Sequence, residues 1–179
     1  MTLLDVHRRL LEGRRHSMDL VGPGPLDLHY ADAKRSLAHL DPTGRWADLG
    51  SGAGFPGIVL AALWPEITVD LVESRQKRAT FLESVLLEAP PRPSPIHVLN
   101  VRAESLPAAS YDCVVARAFL PPAEYLEHAA RLLVPGGRAV VFLGASETWT
   151  PPAEWVVERE NAYSIDAKPR RSLFLRKPA

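Results

Sequence analysis

The chain has 179 residues, 23% of them charged and 46% hydrophobic, a composition that fits one soluble globular domain spanning residues 1–179. Lys+Arg and Asp+Glu both number 21, so no overall basic field announces nucleic acid, and such a partner would have to be met by a local patch. The single cysteine, Cys113, excludes an internal disulfide, no apolar run reaches the ~18 residues of a membrane span, and the N-terminal M-T-L-L-D-V-H-R-R-L-L-E lacks a signal-peptide core. The expectation is a monomer in a reducing cytoplasm, with no membrane and no metal.

Residues 2–17 have the spacing of an amphipathic helix with Leu3, Leu4, Leu10 and Leu11 on its apolar side, ended by Gly22, Pro23, Gly24 and Pro25. A second helix is predicted over about 26–40, which makes residues 1–40 an N-terminal helical extension. Strands are then predicted at 45–49, 68–73, 96–101, 111–116 and 138–143, with helices at about 57–64, 75–88 and 121–133. This alternation calls for an α/β fold, a mainly parallel sheet with helices on both faces. The segment L-L-V-P-G-G-R, 132–138, reads as a helix end and a turn before the fifth strand. Pro151 and Pro152 break the rhythm, and 155–160 and 172–176 read as closing strands, an antiparallel hairpin that completes a seven-stranded sheet.

The segment 46–60, W-A-D-L-G-S-G-A-G-F-P-G-I-V-L, joins a buried strand, a glycine turn and a helix start. Gly50, Gly52 and Gly54 let the backbone turn tightly and approach a ligand that a Cβ would exclude, and Pro56 stands where a helix can begin without wasting an amide. The unpaired amides of that helix start face whatever the turn holds. Two cofactor chemistries use such a turn. Gly52, Gly54 and Gly57 fit the G-x-G-x-x-G of dinucleotide binding, with Glu73 downstream for a ribose hydroxyl, as in a dehydrogenase. Asp48, two residues before Gly50, followed by Gly52 and Gly54, resembles in full the acidic-residue and G-x-G-x-G motif of S-adenosylmethionine-dependent methyltransferases. The closing hairpin and the Pro-Gly-Gly turn are also more similar to that Rossmann-like class I methyltransferase fold. A purely structural turn is the plain alternative.

Four segments in order, D-L-G-S-G-A-G-F-P-G-I-V-L-A, L-V-E-S-R-Q-K-R-A-T-F-L, V-R-A-E-S-L-P and Y-D-C-V-V-A-R-A-F, resemble the glucose-inhibited division protein B family. The likeness covers about residues 18–144, with a fainter echo in P-R-R-S-L-F-L-R-K near the C-terminus. It implies an enzyme that methylates N7 of a guanine in small-subunit (16S) ribosomal RNA, with S-adenosylmethionine as cofactor and the RNA or the small subunit as partner. Carried over residue by residue, it implies that Gly50 and Phe55 line the cofactor, Glu73 holds its ribose, Ala103 and Glu104 frame the adenine, and Arg117 stands at the mouth of the pocket. Asp48, Gly52 and Gly54 complete the cofactor set through the motif. A guanine N7 has a free lone pair, so alignment suffices and no catalytic base is expected; Arg117 is the one candidate near the chemistry. Strand four is followed by A-R-A-F and not by an N-P-P-Y type of motif, and Cys113 inside it reads as a buried small apolar residue.

The chain departs from the family where RNA would be gripped. His29 and Asp32 are kept, but their neighbours differ, and Leu143 stands where a lysine is expected before Gly144. Basic side chains gather at Arg8, Arg9, Arg14, Arg15 and His16 and again at Lys168, Arg170, Arg171, Arg176 and Lys177, which would form a phosphate-binding rim if the fold brings both ends to one face. Arg75, Lys77 and Arg78 read as a solvated helix face. A small-molecule methyltransferase, a non-catalytic cofactor- or ribosome-binding relative and, more distantly, a nicotinamide-dinucleotide enzyme remain as alternatives.

Overall fold

Strand β1, Arg45–Leu49, alternates its side chains between two cores: Trp46 faces one, while Ala47 and Leu49 face the other. The computed structural model describes all residues except 16, 23, 145, 146 and 179. In chain order it consists of α1 (Leu3–Arg14), α2 (Leu26–Ser36), β1, α3 (Gly57–Leu63), β2 (Thr68–Val72), α4 (Gln76–Glu88), β3 (Ile96–Leu99), a short 3₁₀ turn (Ala103–Ser105), β4 (Tyr111–Val115), α5 (Pro122–Leu132), β5 (Leu133–Gly144), β6 (Val156–Ile165) and β7 (Lys168–Arg176). The sheet has seven strands in the order β3-β2-β1-β4-β5-β7-β6. β1 to β5 pair in parallel, and β7 runs antiparallel to both β5 and β6. Crossing over from β3 back to β4 on the far side of β1 makes the carboxyl end of β1 the switch point of the sheet, where open α/β folds bind ligands.

One core is closed by side chains of α1, α2, α3 and α4, the other by α5. Helix α1 starts with a capping box, Thr2 Oγ1 accepting from the Asp5 amide at 3.2 Å and Asp5 Oδ2 from the Thr2 amide at 2.6 Å. Its buried stripe is Leu3, Val6, His7, Leu10 and Leu11, one wide helical face. Helix α3, with Gly57 to Ala61 all buried, lies between the sheet and the two N-terminal helices, which therefore share the main core. Near the other end of the strands, buried Asp70 on β2 accepts from Arg45 of β1 at 2.6 and 3.0 Å and from Tyr111 of β4 at 2.8 Å, and pairs with His97 of β3 at 2.8 Å. One carboxylate thus straps four strands together.

Several boundaries differ from the sequence reading: α2 ends at Ser36 and β3 at Leu99, short of the predicted ends, and the others moved for identifiable reasons. Helix α1 stops at Arg14, well before the Gly-Pro segment, and Pro25 instead precedes α2; Pro23 lies outside the described residues. Strand β5 begins at Leu133, because Tyr111 pairs with Leu133 and the next pairing is Cys113 with Arg138, so the Pro-Gly-Gly turn is taken up as an irregularity inside the strand, with Gly136 at φ 74°. The closing strands are longer than expected. Their two-residue turn is Asp166-Ala167, at φ 49° and 57°, a left-handed pair without the glycine that usually announces it.

The packing of α3 onto the sheet is testable at one glycine. A Cβ on Gly57 would fall 2.4 Å from Leu71 Cδ2 and 2.5 Å from Asp48 Oδ2. Gly57→Ala should therefore lower the unfolding free energy by about 1–3 kcal/mol. Gly13→Ala in α1, where a Cβ meets nothing within 4 Å, should raise it by about 0.5–1 kcal/mol. Urea unfolding reads both, and an unshifted midpoint for Gly57→Ala would contradict the close approach.

Candidate functional site

The turn after β1 is held from three directions. Val72 on β2 offers its carbonyl to the amides of Gly50 and Ser51 at 2.8 and 3.0 Å. The Asp48 carboxylate accepts from the Gly57 amide at the start of α3 at 3.0 Å through Oδ2. Glu73, one residue beyond β2, accepts the Gly52 amide at 2.9 Å through Oε2 and the Arg75 amide at 2.7 Å through Oε1. Gly50, Gly52 and Gly54 all take positive φ. Gly52 differs from its neighbours in what surrounds it: an added Cβ would meet only the Gly50 carbonyl at 3.6 Å and Arg78 Nη1 at 3.7 Å, so a side chain there would grow into the cleft.

Two lobes meet at Gly50. The first, about 510 Å3, is lined by Val72, Ser74, Arg102, Ala103, Glu104 and Phe119 among others; the second, about 570 Å3, by Gly22, His29, Gly52, Phe55, Arg78 and Arg117 among others. The sequence-derived residues Gly50, Ala103 and Glu104 therefore share the first lobe, and Gly50, Gly52, Phe55 and Arg117 the second. Glu73 lies buried beneath, its carboxylate still holding lone pairs for further donors. Gly54 faces inward, its Cβ position only 2.6 Å from Ile58, and shapes the turn without lining the cleft.

Phe55 is 3% exposed and forms a pedestal more than a cover. His29 stacks against it at 5.8 Å between centroids, Tyr30 meets it edge-on at 4.9 Å, and the Arg117 guanidinium lies 4.9 Å from its centre. Arg117 follows β4, and its Nη1 donates to Asp32 Oδ2 on α2 at 3.2 Å. Burial pulls Arg117 below the usual arginine range and Asp32 opposes this, so the side chain keeps its charge while losing water. Asp32 also accepts from Tyr163 at 3.1 Å and lies 3.6 Å from Arg170, which links α2 to the closing hairpin. Cys113 is buried, and burial pushes its thiol well up, as suits a packing residue and not a nucleophile.

Several side chains of the two terminal basic runs are engaged locally. Arg8 pairs with Asp27, Arg9 with Glu88, Arg171 with Glu160 and Arg176 with Glu158, while Lys177 donates to the Leu133 carbonyl; His16 lies outside the described residues. α1 packs on α3 and α4, whereas β7 lies beside the far edge strand. The cations lining the two lobes are Arg78, Arg102 and Arg117, and Arg170 of the C-terminal run stands beside Arg117 in an adjoining pocket with Asp32. Of the helix face Arg75, Lys77 and Arg78, only Arg78 reaches the second lobe, where it also donates to the Asp19 carbonyl at 3.0 Å. Phe119 of the R-A-F segment was visible in the sequence as a motif residue; it packs against Gly50, a Cβ on which would lie 2.7 Å from its ring. His7 and Tyr30 carried no such signal, because each meets the turn across a long stretch of chain. Among the described residues no group of three or more His, Cys, Asp or Glu side chains is placed to hold a metal ion, and no helix is long and apolar enough to cross a membrane.

A family model described as rRNA small subunit methyltransferase G matches residues 25–174. A ribosomal RNA small subunit methyltransferase G of Rhodospirillum rubrum is 39% identical over 167 residues, covering 88% of this chain and 80% of the relative. One of Erythrobacter litoralis is 37% identical over 153 residues, covering 78% and 73%. Among solved structures, a SAM-dependent methyltransferase of Leishmania major is similar with a TM-score of 0.59 at 20% identity, over 97% of this chain and 81% of that one. A 16S rRNA N2 methyltransferase of T. thermophilus, in complex with AdoMet and guanosine, is similar with a TM-score of 0.58 at 18% identity, over 83% and 39%. These structural likenesses speak for the fold.

Asp48 gives the site a pH signature. Burial pushes its carboxyl from 3.8 up to about 7, against the pull of the Gly57 amide. The unfolded chain releases this proton near 3.8, whereas the folded chain keeps it to about 7, so stability falls as pH rises through that window and the penalty is complete above it. Asp48→Asn has no proton to release. Its thermal midpoint, measured against that of the native chain, should climb between about pH 4 and about pH 7 and then stay level. A difference independent of pH would mean that Asp48 is ionised throughout.

Proposed function

We propose that this chain, which belongs to the rRNA small subunit methyltransferase G family, transfers a methyl group from S-adenosylmethionine to N7 of a guanine in 16S ribosomal RNA. The observation that carries the reading is the turn itself: Gly52 open to the cleft, its amide on Glu73, and a lobe on each side of Gly50. The residues fit the cofactor. Asp48 Oδ1 is buried behind the turn with no hydrogen-bond partner, an acceptor that the fold itself leaves open. Glu73 retains acceptor capacity for ribose hydroxyls, and the exposed carboxylate of Glu104 stands beside Ala103 in the lobe assigned to adenine.

When bound, the cofactor supplies an electrophilic methyl group on a sulfonium. The chain's own part is to bind, to orient and to exclude water. Guanine N7 attacks with its own lone pair, so no side chain has to remove a proton, and alignment of two bound reactants is worth up to about 7–11 kcal/mol. Arg117, fixed by Asp32 and by the Phe55 ring, presents a positive charge at the mouth of the second lobe, where an RNA backbone or an electron-rich base would arrive. Arg78 and Arg102 add charge along the same cleft.

The decisive assay is transfer of a labelled methyl group from S-adenosylmethionine to small ribosomal subunits lacking their guanine-N7 mark, followed by digestion of the RNA. Labelled 7-methylguanosine is expected. Retained cofactor binding without transfer to subunits or to free RNA would replace this reading with a small-molecule acceptor or a non-catalytic relative. Gly52→Val supplies the matching control on the cofactor site. At φ 54° the β-branched side chain should cost about 1–2 kcal/mol of stability, leaving a folded protein whose S-adenosylmethionine binding is lost in calorimetry. Native affinity in that variant would move the cofactor away from the glycine turn.

A further inference from the structure

The carbonyl of Ala53, in the wall of the second lobe, receives its hydrogen bond from outside the sheet. His7 of α1, fully buried, places Nε2 2.6 Å from it. The other ring nitrogen, Nδ1, is 2.7 Å from the hydroxyl of Tyr30 on α2, itself 5% exposed. A carbonyl can only accept, so Nε2 carries the proton; Nδ1 then offers its lone pair and Tyr30 must donate. Burial holds His7 neutral, with its pKa lowered to about 4, which leaves this one tautomer at neutral pH. The same two rings wedge Phe55 edge-on, at 5.2 Å from His7 and 4.9 Å from Tyr30, and His7 Nε2 lies 3.2 Å from where a Cβ on Gly54 would be.

We propose that His7 is a positioning residue for the cofactor turn: the relay from the Tyr30 hydroxyl through His7 to the Ala53 carbonyl sets the backbone of residues 52–55, so that α1 and α2 control cofactor affinity. The inference rests on the cofactor reading above and extends it to two residues that touch no ligand. β2 orders the turn on the side of Gly50 to Gly52, through Val72, while Glu73 just beyond it fixes the Gly52 amide. The far side of the turn, at Ala53, depends on the helices. A ring that anchors a carbonyl and props Phe55 fixes the wall on which Arg117 lies.

The test uses the full chain and three variants. His7→Phe keeps a ring of similar size against Phe55 and Tyr30 but has no donor for Ala53; His7→Gln restores an amide donor near the position of Nε2; Tyr30→Phe removes only the hydroxyl. His7→Phe should weaken S-adenosylmethionine binding about tenfold in calorimetry. In the cofactor-free protein it should speed hydrogen exchange at the Gly52 and Gly54 amides while leaving the amides of β4 and β7 unchanged. His7→Gln should recover most of the affinity. Tyr30→Phe should show a smaller loss of the same kind, and none beyond His7→Phe when the two are combined. Native affinity and native exchange in His7→Phe would overturn the proposal, as would exchange that rises equally in every strand, the mark of a merely structural role. If His7→Phe does not fold, the contrast between Tyr30→Phe and His7→Gln decides the question in the same way. Should the native chain itself fail to bind S-adenosylmethionine, the cofactor reading falls, and the exchange contrast at Gly52 and Gly54 still judges the relay.

Discussion

The hydrogen bond from the Gly57 amide to the buried Asp48 carboxylate closes the turn between β1 and α3, and the site depends on it. A buried carboxylate with one oxygen unpartnered is unfavourable for folding alone, which is why its proton is held to about neutral pH. The same bond tethers the first turn of α3 to the penultimate residue of β1, so close that position 57 has no space for a Cβ. The turn between them is left with no freedom except that of its glycines. Their amides and carbonyls then point where β2 and the helices direct them.

The N-terminal helices belong to the site as much as the sheet does. α1 reaches the turn through His7, and α2 reaches it through Tyr30, His29 and Asp32. Between them they hold Phe55 and Arg117, two of the residues facing the second lobe. The first lobe is built differently, from the end of β2, the segment after β3, the 3₁₀ turn that carries Ala103 and Glu104, and Phe119 and Leu120 beyond β4. One side of the cleft is thus set by backbone pairing within the sheet. The other is set by side-chain contacts between helices.

Charge follows the same division. The basic side chains gathered near the two ends of the chain are mostly engaged with carboxylates or carbonyls, which spreads them as local ion pairs over the surface. Such exposed pairs contribute little to stability, but they remove the charges from any single broad patch. The cations that remain at the cleft are few and placed: Arg78, Arg102 and Arg117, with Arg170 behind Asp32. A neutral protein can therefore still present a positive site.

The sequence by itself determined the order of strands and helices, because burial on both faces of a parallel sheet demands apolar runs bounded by turn residues, and β1 was readable to the residue. It also determined the glycine turn, Asp48 and Glu73, since these lie within one unit of strand, turn and strand whose local geometry needs those residue types. Where local signals were weak, boundaries moved: the left-handed Asp166-Ala167 turn lacks glycine, and the Pro-Gly-Gly was absorbed within β5 as an irregularity in its pairing with β4. Only the tertiary structure decided that His7 and Tyr30 meet Ala53 and Phe55, that Asp32 fixes Arg117, and that the terminal arginines pair off. Those contacts join residues far apart in the chain, and no periodicity or spacing encodes which distant side chain fills the last space beside a turn. That choice is made by packing, after the sheet has brought its switch point and the helices together.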